Sequence, residues 1–172
     1  MSSSDVPPPA FWDRQDRLDR IAVRVQSYGR TDDQYNEVSV DAATNTITVF
    51  RTDPTTAVQE APYRALVPKD VGFELDSARF TRAQVDHWVA YVGSQSSWLA
   101  QHGLTLSLWG AQNPDQPFQV LYAECQRPNQ EAMDRLQIYG PKTVTFRHGM
   151  VDGLVGGGSP QPQCIGPSDH NQ

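Results

Sequence analysis

Apolar residues Phe11, Leu18, Ile21, Ala22, Val25 and Tyr28 recur at spacings of three and four between charged positions, which predicts an amphipathic helix over residues 11–29 ending at Gly29. Residues 30–36 read as a polar turn. Val38, Val40, Ile47 and Val49 then alternate with small or polar residues on either side of Asp41-Ala42-Ala43-Thr44-Asn45, the pattern of a β-hairpin. A short helix is expected over residues 54–66, broken or kinked at Pro62 by the missing backbone donor, and a short strand over 71–75. Thr81 has the chemistry of an N-cap for the longest helix. Its buried stripe is expected to be Val85, Trp88, Val89, Val92 and Leu99, with a weak middle at residues 93–97 and a left-handed stop at Gly103. Leu104, Leu106 and Leu108 alternate again, as do Phe118, Val120 and Tyr122. Asn129 is the expected cap of a last helix through Ala132, Met133, Leu136 and Tyr139, closed by Gly140-Pro141, and Val144 and Phe146 mark a final strand.

The order of elements predicts an α+β fold: an N-terminal amphipathic helix, then two ββαβ-type units linked by a long central helix. Phe50 precedes Phe73 by 23 residues and Ala123 precedes Phe146 by the same interval, each pair flanking a short helix between two strands. That spacing favours a right-handed parallel crossover with an antiparallel hairpin partner beside it. Residues 1–10 are expected to be a flexible segment and 11–150 the α+β domain, with halves of about 11–80 and 81–150. Residues 151–172 form a Gly/Pro-rich tail.

Composition narrows the partners. The 172 residues carry a formal net charge of −6 and are 38% hydrophobic, enough for a core and without the general basic field that condenses on phosphate, so nucleic acid is not expected. No run approaches the roughly 20 apolar residues of a spanning helix, so membrane insertion is not expected either. Residues 1–10 have neither a basic nor an apolar leader region. Cys125 and Cys164 match no zinc or redox spacing; they are either a disulfide closing a loop of about 40 residues, contributing roughly 4 kcal/mol by the loop-entropy account, or two unrelated thiols.

Catalytic chemistry is scarce. Gly157-Gly158-Ser159-Pro160 is a near miss to a nucleophile elbow without the strand and helix that would strain it. His87, His102, His148 and His170 stand in no metal-ligand register, so no metal or cofactor is expected. Asp86 and His87 are adjacent on a helix and point about 100° apart, a poor acid/base pair. Asp13, Asp16 and Asp19 interleave with Arg14, Arg17 and Arg20 as a solvated face with local ion pairs is expected to do. Trp88 reads as core. Trp12 and Trp109 are candidates for half-exposed interface rings.

The segment Val38-Ser-Val-Asp-Ala-Ala-Thr-Asn-Thr-Ile-Thr-Val-Phe50, with its Asp-x-x-Thr-Asn turn, resembles the hairpin motif of pro-regions of secreted bacterial chymotrypsin-like serine proteases, the α-lytic protease and streptogrisin group. Tyr139-Gly140-Pro-Lys-Thr-Val-Thr-Phe146 resembles the end of their second ββαβ unit, and the likeness spans residues 11–148. The resemblance implies a non-catalytic chaperone or inhibitor that adds a strand to its protease and lays a tail in the cleft. On this chain it implies Val144, Phe146 and His148 as the contact strand, and Met150 and Leu154 as cleft residues. Trp109 is added as a partner-binding ring. No protease domain lies within these 172 residues, so the expected partner acts in trans: a protein, of chymotrypsin fold as the resemblance implies, met outside the cell after removal of any leader. A cytoplasmic location is the alternative. The rival readings are an adaptor or structural subunit of an exported assembly, and a hydrolase built from dispersed residues such as His148 and Asp152.

Overall fold

The computed structural model describes residues 7–53, 56–122 and 129–148. The class is α+β, with an N-terminal helix, a long central helix and two three-stranded mixed sheets. The chain divides into two units, one of residues up to 86 together with 113–116, the other of residues 87–112 and from 117 onward, so the division falls within the central helix.

In the first unit α1 (Pro9–Gly29) begins two residues before the periodicity suggested, because Pro9 has the fixed φ of a first helical turn and needs no donor there. Leu18, Ile21 and Val25 are buried, each contributing about 1.5–3 kcal/mol by leaving water. They cover a sheet in the order β1 (Tyr35–Asp41), β2 (Thr46–Arg51), β3 (Gly72–Ser77), with β1 antiparallel and β3 parallel to central β2. Tyr35 and Asn36 thus belong to a strand rather than to the preceding turn. The hairpin turn works as its residues suggest: Asp41 Oδ1 accepts from the N–H groups of Ala43 (2.8 Å) and Thr44 (3.2 Å), and Asn45 takes φ 57°. α2 (Ala57–Arg64) opens on a reciprocal Thr56–Gln59 cap and continues through Pro62, so the ring removes one donor without ending the helix.

Gly29 is not a left-handed stop. Arg30 closes α1 in the ordinary right-handed region, and a Cβ on Gly29 would lie 2.5 Å from ring atoms of buried Tyr35, so the glycine is there for that close approach. The charges on α1 also differ from expectation. Arg17 pairs with Asp70, 2.7 and 3.0 Å, and Arg14 donates to the Ala42 carbonyl at 2.8 Å, so these arginines tie the helix to distant loops instead of to its own aspartates.

Thr81 and Gln84 cap α3 (Arg82–Gln101), which runs unbroken through residues 93–97. In the second unit Trp88, Val92 and Leu99 are its buried residues, while Val89, about 100° round the helix from Trp88, is 37% exposed. Val85 is half-buried. The second sheet has the order β4 (Leu106–Gly110), β5 (Phe118–Tyr122), β6 (Val144–His148), again with an antiparallel and a parallel neighbour on the central strand. In both sheets the parallel partners stand 26 residues apart, Ile47 opposite Phe73 and Val120 opposite Phe146. α4 (Gln130–Arg135) stops short of Tyr139: Leu136, Gln137 and Gly140 each take a carbonyl three residues back, which winds the chain into tight turns.

Candidate partner-binding edge

β6 is an outer strand, paired with β5 on one side and, among the described residues, with nothing on the other. The approach to it is set by Gly140 (φ 109°) and Lys142 (φ 64°) and by the Thr143 hydroxyl donating to the Gly140 carbonyl at 2.7 Å. The Thr143 carbonyl then accepts from the Phe118 N–H at 2.9 Å. Successive residues of a strand send their main-chain groups to opposite edges, so Thr143, Thr145 and Arg147 serve β5 while the N–H and C=O groups of Val144, Phe146 and His148 point outward.

Side chains alternate the other way, between faces. Val144, Phe146 and His148 share the face of Phe118, Val120 and Tyr122, against which α3 packs through Trp88 on Phe118. Val144 is only 5% exposed as a whole residue, so its side chain packs in its own core and little of its main chain is reachable, which leaves Phe146 and His148 as the accessible part of this edge. Phe146 is half-buried, in one cross-strand row with Val120 and Trp109. Trp109 is held inward, its Nε1–H donating to the Val89 carbonyl of α3 at 3.2 Å. His148 is exposed, with Nε2 3.1 Å from the Tyr122 hydroxyl. Met150 and Leu154, Asp152 of the hydrolase reading, and both Cys125 and Cys164 lie outside the described residues.

On the opposite face stand residues that the periodicity did not single out: Thr145 and exposed Arg147 on β6, Leu121 on β5, and Leu108 on β4, 41% exposed. Leu108 should have faced inward with Leu104 and Leu106. A register shift between Leu106 and Leu108 breaks the alternation, so Leu108 faces Leu121 on the open side and Trp109 takes the inward place. The signal that could have found Thr145 and Arg147 was present in the sequence, since they are the odd members of a strand whose even members read as apolar.

The described histidines are dispersed over separate tasks. His87 Nδ1 lies 2.7 Å from the Tyr139 hydroxyl, and His102 stacks on Trp98 at 3.7 Å with Nδ1 2.8 Å from the Trp98 carbonyl. Burial raises the Tyr139 hydroxyl above the usual tyrosine range. Asp86 is paired with Arg82 at 3.0 Å, one turn away on the same helix. Among the described residues no three His, Cys, Asp or Glu side chains are grouped to hold a metal, and no helix is long and apolar enough to cross a membrane.

Comparison with family models, with curated proteins and with solved structures finds no match to this chain.

Proposed function

We propose that the protein is a non-catalytic binding module that takes an extended segment of a partner protein along the outer side of β6. The observation that carries this reading is the contrast among the four sheet edges. β1 and β4 are each interrupted by a register shift, and β3 carries Glu74 and Asp76, both features that discourage edge pairing. β6 keeps register across all five residues, with Arg147 its one fixed charge. An added strand would bond to the main chain of Phe146 and His148, with their side chains flanking it on one face and Arg147 on the other. The partner we propose is a chymotrypsin-fold protease or related subunit, met in trans outside the cell, as the likeness of the hairpin and last strand to protease pro-regions implies.

Stoichiometric full-length protein should slow peptide hydrolysis by a streptogrisin-type protease. Phe146→Pro removes the ring and the outward donor, whereas Phe146→Ala removes the ring alone. Provided both keep the wild-type circular dichroism, the proline variant should lose the effect and the alanine variant retain most of it. No slowing by the wild-type chain, or equal loss in the two variants, overturns the reading.

A further inference from the structure

The first unit carries an arginine cluster of which the fold itself uses one member. Arg17, Arg20 and Arg24 line a shallow recess of about 330 Å³ beside α1, with Ile21 and Pro68 supplying apolar surface. Arg17 is occupied, since both its terminal nitrogens bond to Asp70. Arg20 and Arg24 are exposed and make no ion pair or hydrogen bond within the described residues. They stand at i and i+4, where like charges repel across one helical turn. Asp16 stands one turn before Arg20 without an ion pair to it among the described residues, and Arg24 has no carboxylate at that spacing, so two guanidinium groups lie side by side above apolar surface.

The chemistry selects the occupant. A planar guanidinium fork matches a carboxylate or a phosphate in two parallel hydrogen bonds, and two such forks one turn apart match two anionic groups in series. Phosphate sites on helices draw on free N–H groups at the N-terminus. Arg20 lies eleven residues into α1, where backbone donors are already spent within the helix. A long polyanion would also have to pass Asp13, Asp16 and Asp19 on the same helix. A short acidic segment need not, and an apolar side chain on it would find Ile21 and Pro68.

We propose that this recess binds an acidic peptide segment, its carboxylates on Arg20 and Arg24 and an adjacent apolar side chain against Ile21 and Pro68. It is a second recognition site, separate in residues and chemistry from the β6 edge.

The test is calorimetric titration of the full chain with acetyl-Glu-Leu-Glu-Glu-amide, with the corresponding glutamine peptide, and with inorganic phosphate. Saturable binding of the acidic peptide is expected, weaker at high salt and absent for the glutamine peptide. Arg20→Gln/Arg24→Gln should weaken it about tenfold or more with a thermal midpoint unchanged or slightly raised, as loss of two charge-assisted contacts and of their mutual repulsion requires. Phe146→Pro should leave it intact, so this site can fail or survive independently of the β6 reading. Absence of saturable binding, equal binding of inorganic phosphate, or undiminished affinity in the double variant overturns the proposal.

Discussion

The indole of Trp88 lies face to face on the ring of Phe118, centroids 4.3 Å apart and planes 3° from parallel, and both side chains are fully buried. The same indole donates its Nε1–H to the Leu136 carbonyl at 2.9 Å. One side chain of α3 thus fixes β5 and the turn after α4, the elements that carry the pairing side of β6.

Trp88→Ala should therefore destabilise the protein by about 3–5 kcal/mol, the usual cost of an aromatic cavity. Trp88→Phe should keep the stack and strand the Leu136 carbonyl, costing about 1–3 kcal/mol. Urea unfolding followed by circular dichroism measures both; an alanine variant within 1 kcal/mol of wild type, roughly the loss on an exposed site, would contradict the packing role.

Arg51 closes the first sheet with a charge network. Its Nε is 2.9 Å from Asp32 Oδ2 and its Nη2 3.1 Å from Asp32 Oδ1, while the Tyr63 hydroxyl donates to Asp32 at 2.6 Å. Burial opposes ionisation of Asp32, but the Tyr63 hydroxyl, the Gln34 N–H and Arg51 outweigh it and hold the carboxyl below the usual aspartate range. A depressed folded value means stability that is present above the unfolded pKa of about 4 and is lost as pH falls through the lower folded value. Asp32→Asn should lower stability at neutral pH and flatten the acid limb of the stability–pH curve. Parallel acid limbs in variant and wild type, measured by urea unfolding across that range, would remove Asp32 from the account. Arg51→Ala, which leaves the carboxylate to the Tyr63 hydroxyl and the Gln34 N–H, should cost up to about 3 kcal/mol.

Gly29→Ala should destabilise by about 1–3 kcal/mol, because the new methyl meets the Tyr35 ring. Helix propensity pulls the other way, by about 1 kcal/mol, so an alanine variant as stable as wild type would show that the ring yields. Thermal unfolding of both proteins decides between these outcomes.

Tyr35 is 2% exposed and its hydroxyl has no hydrogen-bond partner among the described residues. Burial, with Glu37 nearby, pushes its pKa up to about 12. The raised value means that stability is lost as pH climbs from about 10, where the unfolded tyrosine ionises, through the folded value. Tyr35→Phe should be neutral or stabilising by up to about 1 kcal/mol, since a buried group without a partner is removed. The variant should also resist alkaline unfolding better than wild type; a variant clearly less stable at neutral pH would mean that the hydroxyl is satisfied after all.

Much of the fold was legible in the chain. Local signals do not depend on distant partners, so the α1 stripe, the Asp41–Asn45 turn, the Thr81 and Asn129 caps and the order of elements could be read from their own residues. Within the candidate edge, the sequence located the last strand at Val144 and Phe146, but not its register against β5.

What the sequence determined by itself was the α+β class, because periods of 3.6 and 2 in the apolar positions are fixed by backbone geometry. The tertiary structure alone decided that Gly29 makes room for Tyr35, that Leu108 faces outward, that Arg17 reaches Asp70, and that Val144 is packed into its own core. Each of these is set by packing volume or strand register, between residues from six to 53 positions apart in the chain where a pair is involved, and neither quantity is written in local spacing.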